Sequence, residues 1–237
     1  MSISRPNKNK FYSLQNLSIL FGMRFDPIKE YLTHSQKLII GIEQDLKNRI
    51  DHWDKEHHLD PEIPDGFYVY EREILTKGEF RNILYHSLFI AAYSMFETEF
   101  KNLCEYAGKI QGSKLSPKDL SGGNYIEQCK KYIKIVLEVK LEKLNQEWEE
   151  ITKLQIIRNS IAHNNGILKA SEKHAKYFQS TDGITLSQEK NEIIIESDQY
   201  LMGFIKKLVN FLEKTIDEII NQKADRPEHS LPNEESF

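Results

Sequence analysis

Two stretches of this chain space the same side chains so that one could grip a phosphate and another move a proton. RNILYH runs from Arg81 to His86 and RNSIAH from Arg158 to His163, both reading Arg-Asn-x-x-x-His. Arginine offers a planar, permanently charged fork of N–H donors that matches phosphate oxygens. Histidine exchanges protons near neutral pH. Attack by a ribose 2′-hydroxyl on the adjacent phosphodiester needs a proton acceptor, a proton donor for the leaving 5′-oxygen, and positive charge on the phosphorane. These residue types could supply all three.

The two copies sit in different surroundings. RNILYH lies in the middle of a helical pattern that continues far on both sides, and His86 shares a face with Ile83 and Ile90. Bulky Leu84 and Tyr85 leave no obvious room for a ligand. His86 therefore reads as a packed, hydrogen-bonded helix histidine. RNSIAH closes a helical pattern just before Asn164-Asn165-Gly166, a strong stop because Asn and Gly accept left-handed backbone. Ser160 and Ala162 are small, so a ligand could approach there. Arg158 continues the stripe of Trp148, Ile151 and Leu154, which turns its stem toward the packed side, where a guanidinium needs a partner or an anion. Five residues along a helix turn through about 140°, so Arg158 and His163 stand on different faces, whereas Asn159 and His163 share one. The two charged groups meet on one ligand only if the arginine curls round, the helix ends early, or a second copy of the chain completes the site.

In this setting IIRNSIAHNNG resembles the motif of the HEPN superfamily: an Arg, a polar residue after it, and a His four to six residues beyond the Arg. A long earlier helix of the type SLFIAAYSMFETEFKNLC and a closing helix strengthen the likeness. The resemblance implies an all-α fold that pairs as a homodimer and brings two motifs to one cleft. It implies a metal-independent, cofactor-free endoribonuclease acting on RNA, of the kind found among toxins and antiviral defence effectors, with an antitoxin or regulatory protein as a further partner. Arg158 would hold the scissile phosphate, Asn159 orient it and His163 move the proton, leaving a 2′,3′-cyclic phosphate and a 5′-hydroxyl. Read from the residues themselves, Glu97 shares an apolar stripe with Tyr93 and Phe100, where a carboxylate wants a cation. Arg158 is its expected partner, with a helix-edge position reaching solvent as the alternative, and Ser160 is expected to support the site beside it. Some members carry a Tyr two residues after the His; Asn165 stands there in this chain, which implies a place outside the toxins whose antitoxin modifies that Tyr. A catalytically inactive HEPN-like module that binds RNA or protein is the alternative.

The elements that must position these residues follow from periodicity. Apolar residues at Ile28, Leu32, Ile39, Ile42, Leu46 and Ile50 predict a helix from Pro27. Further helices are predicted over about 71–110, 125–144, 147–163 and 198–222, with a β-hairpin in GITLSQEKNEIIIES before the last. The expected fold is thus all-α, a bundle of long helices with one small hairpin. The expected organisation is an N-terminal extension over 1–24 with a poorly ordered start leading to a short helix, a single domain over 25–222, and a disordered acidic tail over 223–237.

Composition narrows the class. The chain has 237 residues, 39% hydrophobic and 29% charged, with a net charge of −4. That composition suits a folded core, and the charge argues against broad non-specific binding to nucleic acid. No apolar run is long enough for a bilayer, the first residues lack a secretory signal, and Cys104 and Cys129 read as reduced, buried thiols. A cytoplasmic protein without membrane attachment is expected. DHWDKEHHLDPE (Asp51 to Glu62) has the composition of a metal cluster but reads as a solvated helix end. SGGN at Ser121 reads as a helix-start turn, and Trp53 and Trp148 as packing residues.

Overall fold

The computed structural model describes residues 10–57, 60, 62–169 and 172–224. The fold is all-α with a small antiparallel hairpin before the last helix. Its helices are α1 (Gln15–His57), α2 (Gly66–Val69), α3 (Glu71–Gln111), α4 (Tyr125–Ile135), α5 (Asn145–His163), α6 (Glu172–Gln179) and α7 (Asp198–Ala224). Strands β1 (Ile184–Leu186) and β2 (Ile193–Ile195) pair in the register Ile184↔Ile195, Thr185↔Ile194, Leu186↔Ile193. The described residues group into two compact units, one drawn from those within 1–24, 95–150 and 208–237 and the other from those within 25–94 and 151–207. Most of the expected acidic tail lies outside the described residues.

Helix α1 begins well before Pro27, which lies inside it. An interior proline costs about 3 kcal/mol through a lost hydrogen bond and a clash with the preceding turn. Phe21 and Phe25 on either side of the preceding turn are both fully buried. Each contributes about 1.5–3 kcal/mol, which is enough to carry the helix through. Residues 10–14 form a 3-10 turn that buries Phe11 and Leu14.

In the first unit, Phe96, Phe100 and Phe211 are fully buried or nearly so. Trp148 meets Phe100 and Phe211 edge-on, at 5.8 and 4.8 Å between ring centroids. Such pairs contribute about 0.5–1.5 kcal/mol beyond their buried area. Cys104 and Cys129 are free and buried; the Cys104 thiol donates to the Cys129 carbonyl, and burial pushes its pKa well up. Asn124, the last residue of SGGN, caps α4 by accepting from the Glu127 amide at 2.9 Å.

The predicted helix over 125–144 ends early, at Ile135. Leu137, Val139 and Leu141 are buried while Glu138 and Lys140 between them are exposed. That alternation has a period of two, which a helix cannot bury on one side. Glu138 takes a left-handed φ of 50°, and the Gln222 side-chain amide clasps both backbone groups of Lys140 at 2.7 and 2.8 Å.

Sequence periodicity did not single out Glu99, a carboxylate only 5% exposed in the first unit. It pairs with Arg24. Arg24→Ala should leave that carboxylate with its hydration and its partner both lost, destabilising the fold by about 1–3 kcal/mol. A urea titration of the variant, with Lys at the same position as a partial rescue, measures the loss.

Candidate active site

Both Arg-Asn-x-x-x-His copies belong to the second unit, and they do different work. In the first copy, Arg81 Nη2 donates to both carboxylate oxygens of Glu43 at 2.8 Å. Asn82 donates to Glu192 at 3.3 Å. His86 Nε2 lies 2.9 Å from the carbonyl oxygen of Ile193. A carbonyl can only accept, so Nε2 carries the proton and the neutral ring keeps Nδ1 as its acceptor. Burial pushes the His86 pKa below the usual histidine value, against a smaller upward pull from that hydrogen bond. The first copy therefore fastens α3 to α1 and to the hairpin, as its packed setting predicts.

The second copy ends α5. Arg158 is half-buried, Asn159 and His163 are exposed, and Ser160 is 5% exposed. Arg158 curls round the helix end: its Nη1 donates to Asn159 Oδ1 at 3.1 Å and lies 3.5 Å from His163 Nε2. The 140° offset is thus bridged by the length of the arginine side chain. A guanidinium has no lone pair to offer, so this approach requires Nε2 of His163 to present its own. The exposed small residue beside the motif is Ala162, whereas Ser160 is covered. Glu97 is half-buried and belongs to the first unit, Arg158 to the second.

The end of α5 is tied to the first copy through backbone hydrogen bonds that end on the His86 ring. The amides of Asn164 and Gly166 both donate to the Ser160 carbonyl at 3.0 Å. Asn165 and Gly166 are left-handed, with φ of 51° and 78°. The Gly166 carbonyl accepts from the Ile193 amide at 2.9 Å, and the Ile193 carbonyl is the one that His86 holds. Ser160, Gly166, Ile193 and His86 thus form one continuous hydrogen-bonded chain that fixes where the second motif stops. A Cβ at Gly166 would lie 3.0 Å from His86 Cε1. Gly166→Ala should therefore cost about 1–2 kcal/mol from the left-handed backbone alone, and more if His86 is displaced. Thermal melts of the variant, compared with an alanine at exposed Lys169, check this.

The metal-like segment is occupied with structure. Asp54 accepts from the Gly66 amide at 2.6 Å, His57 stacks on Trp53 at 4.1 Å between ring centroids, and His52 pairs with Glu56 at 3.3 Å. His58, also part of that reading, lies outside the described residues. Among the described residues no three His, Cys, Asp or Glu side chains group as a metal site, and no helix is long and apolar enough to cross a membrane.

Two cavities open in the second unit. The larger, about 560 Å³, is lined by apolar groups including Ile28, Phe80, Ile83 and Leu88, with Tyr31 its one titratable side chain. The smaller, about 280 Å³, mixes aromatic, carboxylate and amide groups and includes Leu154 of α5. No family model, curated protein or solved structure matches the chain.

Proposed function

We propose that the chain is a metal-independent endoribonuclease of the HEPN type, acting as a homodimer in a toxin or antiviral defence role. The observation that carries this reading is the meeting of Arg158, Asn159 and His163 at an exposed helix end, with Nη1 3.5 Å from the imidazole Nε2. A phosphodiester seated there would take bidentate hydrogen bonds from the guanidinium and lie within proton-transfer range of the ring. Asn159 holds the guanidinium in its curled position.

In this reading the 2′-oxygen forms a bond to phosphorus as the bond from phosphorus to the 5′-oxygen breaks. His163, presenting a lone pair, takes the 2′-hydroxyl proton. Each chain brings one such imidazole, so His163 of a second copy supplies the proton that leaves with the 5′-oxygen. Arg158 spreads the phosphorane's negative charge, and no metal is asked for.

The test is product chemistry. RNA incubated with the protein in excess EDTA should yield 2′,3′-cyclic phosphate and 5′-hydroxyl ends, and a substrate with a single 2′-deoxy sugar at the cut should resist. Cleavage that leaves 5′-phosphates, or that disappears with the chelator, rules this mechanism out. RNA bound but never cut points to the inactive binding module instead.

A further inference from the structure

We propose that the smaller cavity of the second unit is a subsite for a guanine base of the RNA, one nucleotide from the phosphate held by Arg158 and His163. This deepens the nuclease reading and rests on it. The cavity holds about 280 Å³, just below the range of about 300–1,000 Å³ for drug-sized ligands. That is room for a flat heterocycle rather than for a bulky ligand.

Its place on the helix couples it to the motif. Leu154 lines it, and Arg158 follows four residues later. Residues four apart share a helix face and lie about 6 Å apart along the axis. The Arg158 backbone therefore stands one turn beyond Leu154, and its side chain reaches on from there to Asn159 and His163 at the helix end.

The lining has the chemistry of a base site. Leu154 and Phe204 supply apolar surface, and Tyr177 and Tyr200 supply aromatic rings. Stacking of a base on such a ring contributes about 1–3 kcal/mol and tolerates any base. Asp182 and Gln199 line the same space and are exposed. A carboxylate only accepts hydrogen bonds. Guanine alone offers two adjacent donors, N1–H and the 2-amino group, on its Watson–Crick edge. Adenine and cytosine place an acceptor beside their amino donor, and uracil flanks its single N–H with two acceptors. Asp182 therefore selects guanine, and the Gln199 amide suits the neighbouring O6 acceptor. Lys207 also lines the cavity, and the ammonium of Lys153 lies 5.6 Å from the centre of the Tyr177 ring, so the surroundings favour a polyanion.

Two glycines keep the space as it is. Gly183, at a φ of 79°, lets the turn carrying Asp182 close on Ser197, whose Oγ would be 2.4 Å from any added Cβ. Gly203 sits inside α7 and lines the cavity, with no heavy atom within 4 Å of where its Cβ would be. Neither backbone angle nor close packing asks for glycine there, although glycine costs a helix about 1 kcal/mol relative to alanine. What it leaves is room.

The intact protein would be titrated with the four nucleoside 3′-monophosphates and followed by calorimetry. Its cleavage sites would be mapped on an RNA of random sequence. Guanosine 3′-monophosphate should bind at least tenfold more tightly than the other three, and cuts should cluster next to guanines. Asp182→Ala, at an exposed position, should abolish the preference. Gly203→Leu, which fills open space and should leave the melting temperature close to the parent's, should weaken all four at least tenfold. Equal binding of the four nucleotides, or a guanine preference that survives Asp182→Ala, overturns the subsite. His163-dependent cutting without base bias overturns the subsite and leaves the nuclease reading standing. Guanine-selective, Asp182-dependent binding without any cutting sustains the subsite and removes the nuclease reading.

Discussion

His163→Ala should lower the rate of RNA cleavage by about 10²–10⁴-fold, the usual contribution of a positioned acid or base. The side chain is exposed at the last residue of α5, so its truncation should leave the melting temperature nearly unchanged. Single-turnover measurement on a short labelled RNA in EDTA separates the chemical step from product release. Arg158→Ala should cost about 10²–10³-fold, as expected for losing one preorganised donor to developing charge. Arg158→Lys should recover little of it, because an ammonium cannot present a planar fork to two oxygens. Full activity in His163→Ala combined with none in a folded His86→Ala would move the chemistry to the first copy and overturn the assignment.

The second large effect is on stability. His86→Ala leaves the carbonyl of Ile193, a residue with no exposed surface, without its donor. An orphaned buried acceptor costs about 1–3 kcal/mol, and each kcal/mol moves the midpoint of a chain this size by roughly 2–4 °C. A fall of about 2–12 °C is therefore expected in the melting temperature. Acid should act in the same direction. Burial holds His86 neutral in the folded protein at pH values where the unfolded chain already binds the proton. Its contribution is complete above the unfolded value of about 6.5 and is lost as pH falls from there through the lowered folded value. The parent should therefore lose more stability between pH 7 and pH 5 than His86→Ala does. Identical pH dependence in the two proteins would show that this imidazole is not the neutral donor described above.

Much of the framework could be read in advance because it depends on repeating patterns. The apolar spacing of α3 and α7 predicts their ends to within about two residues, and Asn164-Asn165-Gly166 marks where α5 stops. The hairpin is expected from two short β-prone runs, ITL and III, flanking a polar turn. Other features depend on contacts that a one-dimensional pattern does not carry. Pro27 looks like a beginning until the burial of Phe21 and Phe25 is known. Residues 137–141 alternate as a strand would, but a helical pattern running in from Tyr125 obscures that. Helix α6 is eight residues long, too short for periodicity to announce it, and it carries Tyr177. The spacing alone left open how Arg158 would meet His163; a flexible four-atom stem closes an angle that ideal helix geometry leaves wide. Nothing in the order of residues showed that the first copy of the motif holds the hairpin behind the second.

The placement of the two indoles has a practical consequence. Trp148 lies in the first compact unit among Phe100 and Phe211, with the Lys130 ammonium 4.5 Å from its ring centre. Trp53 lies in the second, with its Nε1 donating to the Pro64 carbonyl at 3.0 Å. Each half of the molecule therefore carries its own intrinsic fluorophore. Emission from Trp53→Phe would follow the melting of one half, and emission from Trp148→Phe the other. Whether the two traces coincide is a direct optical readout of how cooperatively the chain unravels.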